Sequence, residues 1–256
     1  MKNTFKKIMT MSFVVLLATG CNGSEITKEQ AKERMAGITK YQEEHTEDLY
    51  ENGFYAKAVI DGKSTDGREY TKISTEVWIA NNYAHSKING TIKASGSETN
   101  QRQEFYLGII DNHYYRIDAV AKTYYDFGEV GKDSSSDAES IFKQVQTIYN
   151  SILSATNIDT ILEKFPDGDA EFADGYSGKI QSRGEGHLHF ELNYKSEDEK
   201  TILNEEITFN NYRLASGKSK NITEEATVNV LVSFSYSINA KMPTLNGLDK
   251  VDTLNN

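Results

Sequence analysis

Two imidazoles and a carboxylate alternate along the stretch His187-Leu188-His189-Phe190-Glu191. On a β-strand alternate residues share a face, so these three side chains line up as zinc ligands could. Neighbours on one face stand about 6.6 Å apart, so further ligands have to come from other strands. Phe190 and Leu192 occupy the opposite face, which makes the histidine face the expected solvated one. His187 and His189 are therefore weak metal candidates, and no metal is expected. The triplet Gly-Lys-Ser occurs at 62–64 and 217–219, but a P-loop needs a further glycine five positions earlier, where Lys57 and Tyr212 stand. Asp126-Phe127-Gly128 lacks every other kinase element. Asp167, Asp169 and Glu171 hint at calcium, yet an EF-hand loop from Asp167 requires Gly and Glu where Phe172 and Gly178 occur. That stretch reads as an acidic turn. No Ser, Cys or Lys constellation suggests an activated nucleophile, so neither enzymatic activity nor a cofactor is expected. One reactive group remains. Cys21 is the single cysteine of 256 residues, so no disulfide can form within the chain and the fold must stand on its core.

The position of that thiol is informative. Lys2, Lys6 and Lys7 make a positive amino end, and Ile8 to Ala18 is an apolar run of eleven residues. As a helix this run reaches about 16 Å, roughly half a bilayer core, which suits a secretory signal and not a membrane span. Ala18, Thr19 and Gly20 then precede Cys21. The stretch resembles the lipobox of bacterial lipoproteins, although the family prefers Leu three positions before the cysteine and Ala18 stands there. The resemblance implies that the thiol receives a diacylglyceryl group and that Cys21 becomes the first residue after cleavage. The alternatives are an ordinary signal peptide followed by a chance cysteine, or a buried thiol. Two or three acyl chains hold a protein on a membrane where one does not. The expected layout is a signal over 1–20, anchor and linker over 21–24, one domain over 25–245 and a flexible tail over 246–256. The expected location is extracytoplasmic, anchored by lipid to the cell membrane.

Charge narrows the partners. The chain carries −10 overall, and its first twenty residues contribute three lysines and no acid. The remainder is more acidic still, so nucleic-acid binding is not expected and anionic headgroups would repel it. Fifteen Tyr and eleven Phe against two Pro favour sheet.

The elements follow from periodicity. "TKEQAKERMAGITKYQEEHTEDLY" reads as a helix with Thr27 and Gln30 at capping-box spacing, an Ile26–Ala31 staple and Asn52-Gly53 as its stop. Strand patterns follow at Phe54–Ile60, "REYTKISTEVWIA", "YAHSKINGTIKAS", "RQEFYLGII" and "HYYRIDAVAKTYYDF", with "DGKSTDG" and "GSETN" as turns and Asp111-Asn112 as a tight hairpin. Ser136 and Glu139 cap a second helix whose stripe is Ile141, Phe142, Val145, Ile148, Tyr149, Ile152 and Leu153. Asn157 caps a short third helix carrying Ile158, Ile161, Leu162 and Phe165, ended by Pro166-Asp167-Gly168. Four strands close the chain: "EFADGYSGKIQSR", "GHLHFELNY", "TILNEEITFNNYRL" and "ATVNVLVSFSYSI". In the last, Val228, Val230, Val232, Phe234 and Tyr236 share one face.

The expected fold class is α+β: a curled antiparallel sheet, an unclosed half-barrel of about eight strands, with helices on its concave face. An amino-terminal helix ahead of long strands, "EFYLGIIDNHYYRIDAVAKTYYDF" and the late "EEITFNNYRL" together resemble the Lol-type lipoprotein carriers and the related mycobacterial lipoproteins. That resemblance covers about residues 25–243 and is architectural. It implies an apolar cavity holding a lipid or the acyl chain of a lipoprotein. Anchoring departs from a shuttling carrier and suits a receptor, a tethered lipid handler or a sensor. Candidate lining residues are Trp78, Leu107, Phe190, Leu192, Phe209, Val232 and Phe234, which alternation alone also assigns to a solid core. With a solid core the domain is instead an envelope interaction or regulatory module, and a metal-dependent enzyme at His187 and His189 ranks third.

Overall fold

The computed structural model describes residues 23–132, 140, 143, 158–168 and 170–253. Cys21, the expected signal, Asp169, Asn157 and the apolar stripe expected over 141–153 lie outside the described residues.

The first helix, α1 (Lys28–Glu44), opens on the expected capping box: the Gln30 N–H donates to Thr27 Oγ1 at 3.3 Å and the Thr27 N–H to Gln30 Oε1 at 3.0 Å. Its inward positions are Ala31 and Ile38. The helix does not continue to Leu49 unbroken. His45, at φ −120° and ψ 28°, separates it from α2 (Thr46–Asn52), and the His45 ring nitrogen Nδ1 satisfies the Tyr41 carbonyl at 2.9 Å.

Strands dominate the rest. They are β1 (Ser24–Glu25), β2 (Phe54–Ser64), β3 (Tyr70–Ala80), β4 (Tyr83–Ala94), β5 (Ser97–Ile110), β6 (His113–Asp118) and β7 (Thr123–Glu129). After the short α3 (Ile158–Leu162) come β8 (Tyr176–Gly184), β9 (His187–Lys195), β10 (Ile202–Asn210), β11 (Arg213–Ile222), β12 (Ala226–Tyr236) and β13 (Asp249–Lys250). All join one sheet in the order β1-β8-β9-β10-β11-β12-β2-β3-β4-β5-β6-β7-β13. Two meanders thus meet where the last long strand, β12, pairs with the first, β2. The sheet is unclosed, with β1 and β13 at its two ends, and only the β13–β7 pair is parallel.

Among the described residues the protein is mostly β, with helices a minor part, and the sheet has thirteen strands where about eight were expected. Two turns account for much of the difference. "HYYRIDAVAKTYYDF" folds back after Asp118, whose Oδ1 accepts the N–H groups of Val120 and Ala121 at 2.9 and 2.8 Å. "TILNEEITFNNYRL" folds back at Asn211 and Tyr212, both at positive φ. The Asp111-Asn112 turn stands where expected, and both of its residues have positive φ, as a tight hairpin of this hand requires. "GSETN" belongs largely to β5. The tail, expected to be loose from Asn246, is tied down: Asp249 and Lys250 pair with Thr123 and Tyr124, and Lys250 Nζ reaches Asp126 at 3.4 Å.

The main core lies between the helices and one face of β8–β12 and β2. Ile38, Leu49, Ile161, Leu162 and Phe165 pack there with Phe54, Leu188, Phe190, Ile207 and Phe234. A smaller cluster of Ala84, Leu107, Tyr114 and Phe127 sits on β4–β7. Gly90 marks a close approach of β3 and β4, since a Cβ there would overlap the Lys72 carbonyl oxygen. No helix among the described residues is long and apolar enough to cross a membrane.

Candidate functional site

Antiparallel pairing sets side chains in rows across the sheet. One row runs Phe190, Ile207, Gly217, Val232, Ala58, Thr75, Ile88 and faces the helices. Five of the seven apolar candidates, Phe190, Leu192, Phe209, Val232 and Phe234, lie on this side, in the main cluster, between 1% and 8% exposed. The Phe190 ring meets Phe165 edge-on at 6.5 Å. Leu107 is buried in the separate smaller cluster. Trp78 is on the other side of the sheet, because its row partners are Tyr55 and His85. The seven therefore do not converge on one cavity. Alternation finds apolar positions but does not tell which strands are neighbours, and that decides which of them meet.

The same helix-facing side holds a second apolar group that the sequence reading did not single out. The next rows run Leu192, Glu205, Ser219, Val230, Ile60, Ile73, Gly90 and Leu203, Asn221, Val228, Gly62, Thr71, Ile92. Ile60, Ile73, Ile88 and Ile92 are half-buried and, among the described residues, belong to neither packed cluster. They form a strip three strands wide beside the buried Val228 and Val230. Polar groups punctuate it. Burial pushes the Glu205 carboxyl above its ordinary value of 4.5, and the buried Thr71 hydroxyl has no hydrogen-bond partner among the described residues. The signal for Glu205 was present: Leu203, Glu205, Ile207 and Phe209 alternate, which puts an acid on the apolar face.

The opposite side is polar and self-satisfied. Tyr55, Trp78, His85 and Tyr106 stack across four strands, with ring centroids 4.7, 4.2 and 3.9 Å apart. Beside them Lys57, Glu76, Lys87 and Glu104 alternate in charge along one row. The Tyr55 hydroxyl donates to Glu76 at 2.9 Å and Tyr106 to Glu104 at 3.1 Å, while His85 Nε2 lies 3.2 Å from Glu104. Burial, followed by these carboxylates, drives Tyr55 and Tyr106 up to about 12. Burial lowers the His85 pKa, and Glu104 opposes that shift. The inner ring faces are taken up by neighbouring rings, and the ladder stiffens the sheet.

His189 corrects an expectation. It is not solvated but 2% exposed, held by Thr208 at Nδ1 (2.9 Å) and by Glu191 at Nε2 (3.2 Å), with Lys179 3.0 Å from Glu191. His187 Nδ1 accepts the Arg183 N–H at 3.3 Å, and burial lowers its pKa. Lys218 and Glu206 pair on the same side. Among the described residues no group of three or more His, Cys, Asp or Glu is placed to hold a metal ion. A shallow cleft of about 340 Å³ opens at the start of α1, bordered by Glu25, Thr27, Lys28, Phe165, Pro166 and Lys179. Its Lys28 is already committed, at 2.9 Å both to the Phe165 carbonyl and to Asp167. None of the candidate residues lines it.

No protein-family model matches the chain. No curated protein matches it either. Among solved structures it is similar to the S-type phycobiliprotein lyase CPES from Guillardia theta. The identity is 7%, the coverage 77% of this chain and 93% of that one, and the TM-score 0.22, a likeness too slight to carry an argument about fold or function.

Proposed function

We propose that this is a bacterial lipoprotein, anchored outside the cytoplasm through lipid on Cys21, whose domain binds an apolar ligand on the helix-facing side of its sheet. The ligand is a lipid or the acyl chain of a lipidated protein, and the sheet curls around it as a half-barrel. One observation carries the binding reading: among the described residues the strip of Ile60, Ile73, Ile88 and Ile92 stands outside both packed clusters. An acyl chain burying about 300 Å² there gains of order 7 kcal/mol before the costs of association. The reading requires no nucleophile, metal or cofactor. The Lol-type resemblance of the sequence, and an unclosed antiparallel sheet with helices on one side, support it.

A second reading, an envelope interaction or regulatory module with a solid core, is favoured by the five candidate residues packed in the main cluster. Native mass spectrometry followed by organic extraction separates the two. Residues 24–256, purified gently, should retain a stoichiometric lipid. A bare protein that also ignores added lipids and apolar dyes rejects the first reading. For the anchor, Cys21→Ala should abolish palmitate labelling and membrane retention, and unchanged labelling and retention would sink the claim.

A further inference from the structure

We infer that one pole of the sheet, formed by the β8–β9 and β10–β11 turns, lies on the membrane surface when the domain is tethered. This rests on lipidation of Cys21. The leash is the first argument. Ser24 and Glu25 pair with Ser182 and Gln181, and the Ile26 N–H donates to the Ile180 carbonyl at 2.9 Å. Gly23 is pressed against the same strand, for a Cβ there would stand 2.9 Å from the Ser182 carbonyl oxygen. The chain is thus fixed to the sheet from Gly23 onward. One residue, Asn22, separates Gly23 from Cys21, so two steps of 3.8 Å allow at most about 7.6 Å between their Cα atoms. That leash is shorter than a helix is wide, about 10–12 Å. An acylated thiol at the headgroup level therefore holds Gly23 close to the bilayer.

Direction is the second argument. Because β1 runs antiparallel to β8, the chain read backward from Ser24 heads toward Gly184 and the β8–β9 turn. The β10–β11 turn abuts it, with the Tyr212 N–H donating to the Gly186 carbonyl at 2.9 Å. Charge is the third. Near the leash the turns carry Glu185, Asn211 and Tyr212, flanked by Arg183 and Arg213, so two cations face one acid, which itself accepts from the Tyr212 hydroxyl at 3.4 Å. Arg213 lies over the Tyr236 ring at 5.2 Å. Tyrosine and arginine suit a headgroup layer, where an apolar body and a polar tip are both accommodated. Turns at the other end of these strands carry Glu197, Asp198, Glu199, Glu224 and Glu225 against the single Lys200, a net acidic pole that an anionic bilayer repels. The strands between the poles, nine to eleven residues each, set them about 30 Å apart.

Depth-dependent quenching tests the orientation. The full lipidated chain carries a dye on a single introduced cysteine, Glu185→Cys or Asn211→Cys at the near pole, Glu197→Cys or Glu224→Cys at the far one. It is placed in phosphatidylethanolamine/phosphatidylglycerol vesicles containing a headgroup quencher lipid. The near labels should be quenched several-fold more than the far labels. A Gly/Ser insertion of roughly twenty residues after Asn22, reaching about 25 Å, should erase the difference. Equal quenching at both poles, or a difference that survives the insertion, overturns the proposal. The intact mass of the same sample keeps the two ideas apart. Without the lipid mass on Cys21 the anchor reading fails and takes this one with it; with that mass present, equal quenching defeats the orientation alone.

Discussion

Replacing Phe190 by Ala distinguishes a packed core from an open lining. Phe190 is 1% exposed, faces Ile180 and Ile207 on its neighbouring strands, and meets Phe165 edge-on below α3. A buried phenyl removes about 150–250 Å² from water and its edge-on partner adds about 0.5–1.5 kcal/mol. Truncation in a site that cannot collapse costs about 3–5 kcal/mol. Against a total stability of about 5–15 kcal/mol that is a large share. For a domain of this size the midpoint of thermal unfolding should fall by about 6–20 °C. Urea titration followed by circular dichroism should show the lower midpoint with an unchanged slope. Ile60→Ala, on the half-buried strip, should cost only about 1 kcal/mol in the same assay, well under a full core truncation. A Phe190→Ala loss below 1 kcal/mol would refute the packed-core assignment. An Ile60→Ala loss matching it would remove the basis for a binding strip.

Three further outcomes follow from the geometry. Glu205 is raised by burial, so the folded state holds its proton to higher pH than the unfolded chain does. Stability should therefore fall as pH rises from about 4.5 through the folded value, and Glu205→Gln should flatten that fall, as urea titrations at several pH values would show; an unchanged slope with pH would refute the assignment. His85 is shifted the other way, so the stability it leaves intact above about 6.5 should be lost as pH drops through that value toward the folded one. Trp78, the single tryptophan, stacks on His85 at 4.2 Å and should report this as a fluorescence transition that His85→Phe abolishes; a transition that persists would refute the assignment. Gly90→Ala should destabilise by about 3 kcal/mol, the upper end for overpacking, because the new methyl group meets backbone, and a neutral result in urea titration would contradict the close approach.

The sequence was most legible where a local rule acts alone. Thr27 and Gln30 mark the start of α1 and Asp111-Asn112 a hairpin, and both stand as read, whereas the single helix expected to run to Asn52-Gly53 breaks at His45 into α1 and α2. The β12 alternation was equally plain, with Val228 through Phe234 inward. The strand count failed at two turns that lie inside stretches read as continuous strands. Ala119–Lys122 is closed by the Asp118 carboxylate, and Asn211-Tyr212 is held open by packing of Tyr212 against Gly186 and its stacking on Tyr41. The candidate site was less legible still. Trp78 and Phe190 look alike as apolar positions on strands, but long-range pairing puts them on opposite sides of the sheet. His189 was read as wet because its own strand is amphipathic, whereas Thr208 on the neighbouring strand encloses it.

The meeting of β12 with β2 has a consequence for how the protein is made. Ser64 finds its partner in Ala226 and Phe54 in Tyr236, so the middle of the sheet joins nearly the first long strand to the last. Each meander can zip by neighbouring hairpins, but that seam waits for the whole chain. Assembly weighted toward such distant pairing is slow, on the millisecond-to-second scale or beyond. Until β12 arrives, β2 presents an unpaired hydrogen-bonding edge of eleven residues with one apolar face, the kind that templates aggregation. A chain threaded through a membrane amino end first would expose that edge throughout its passage. Truncation before Ala226 should therefore yield an aggregating product and not a smaller folded one.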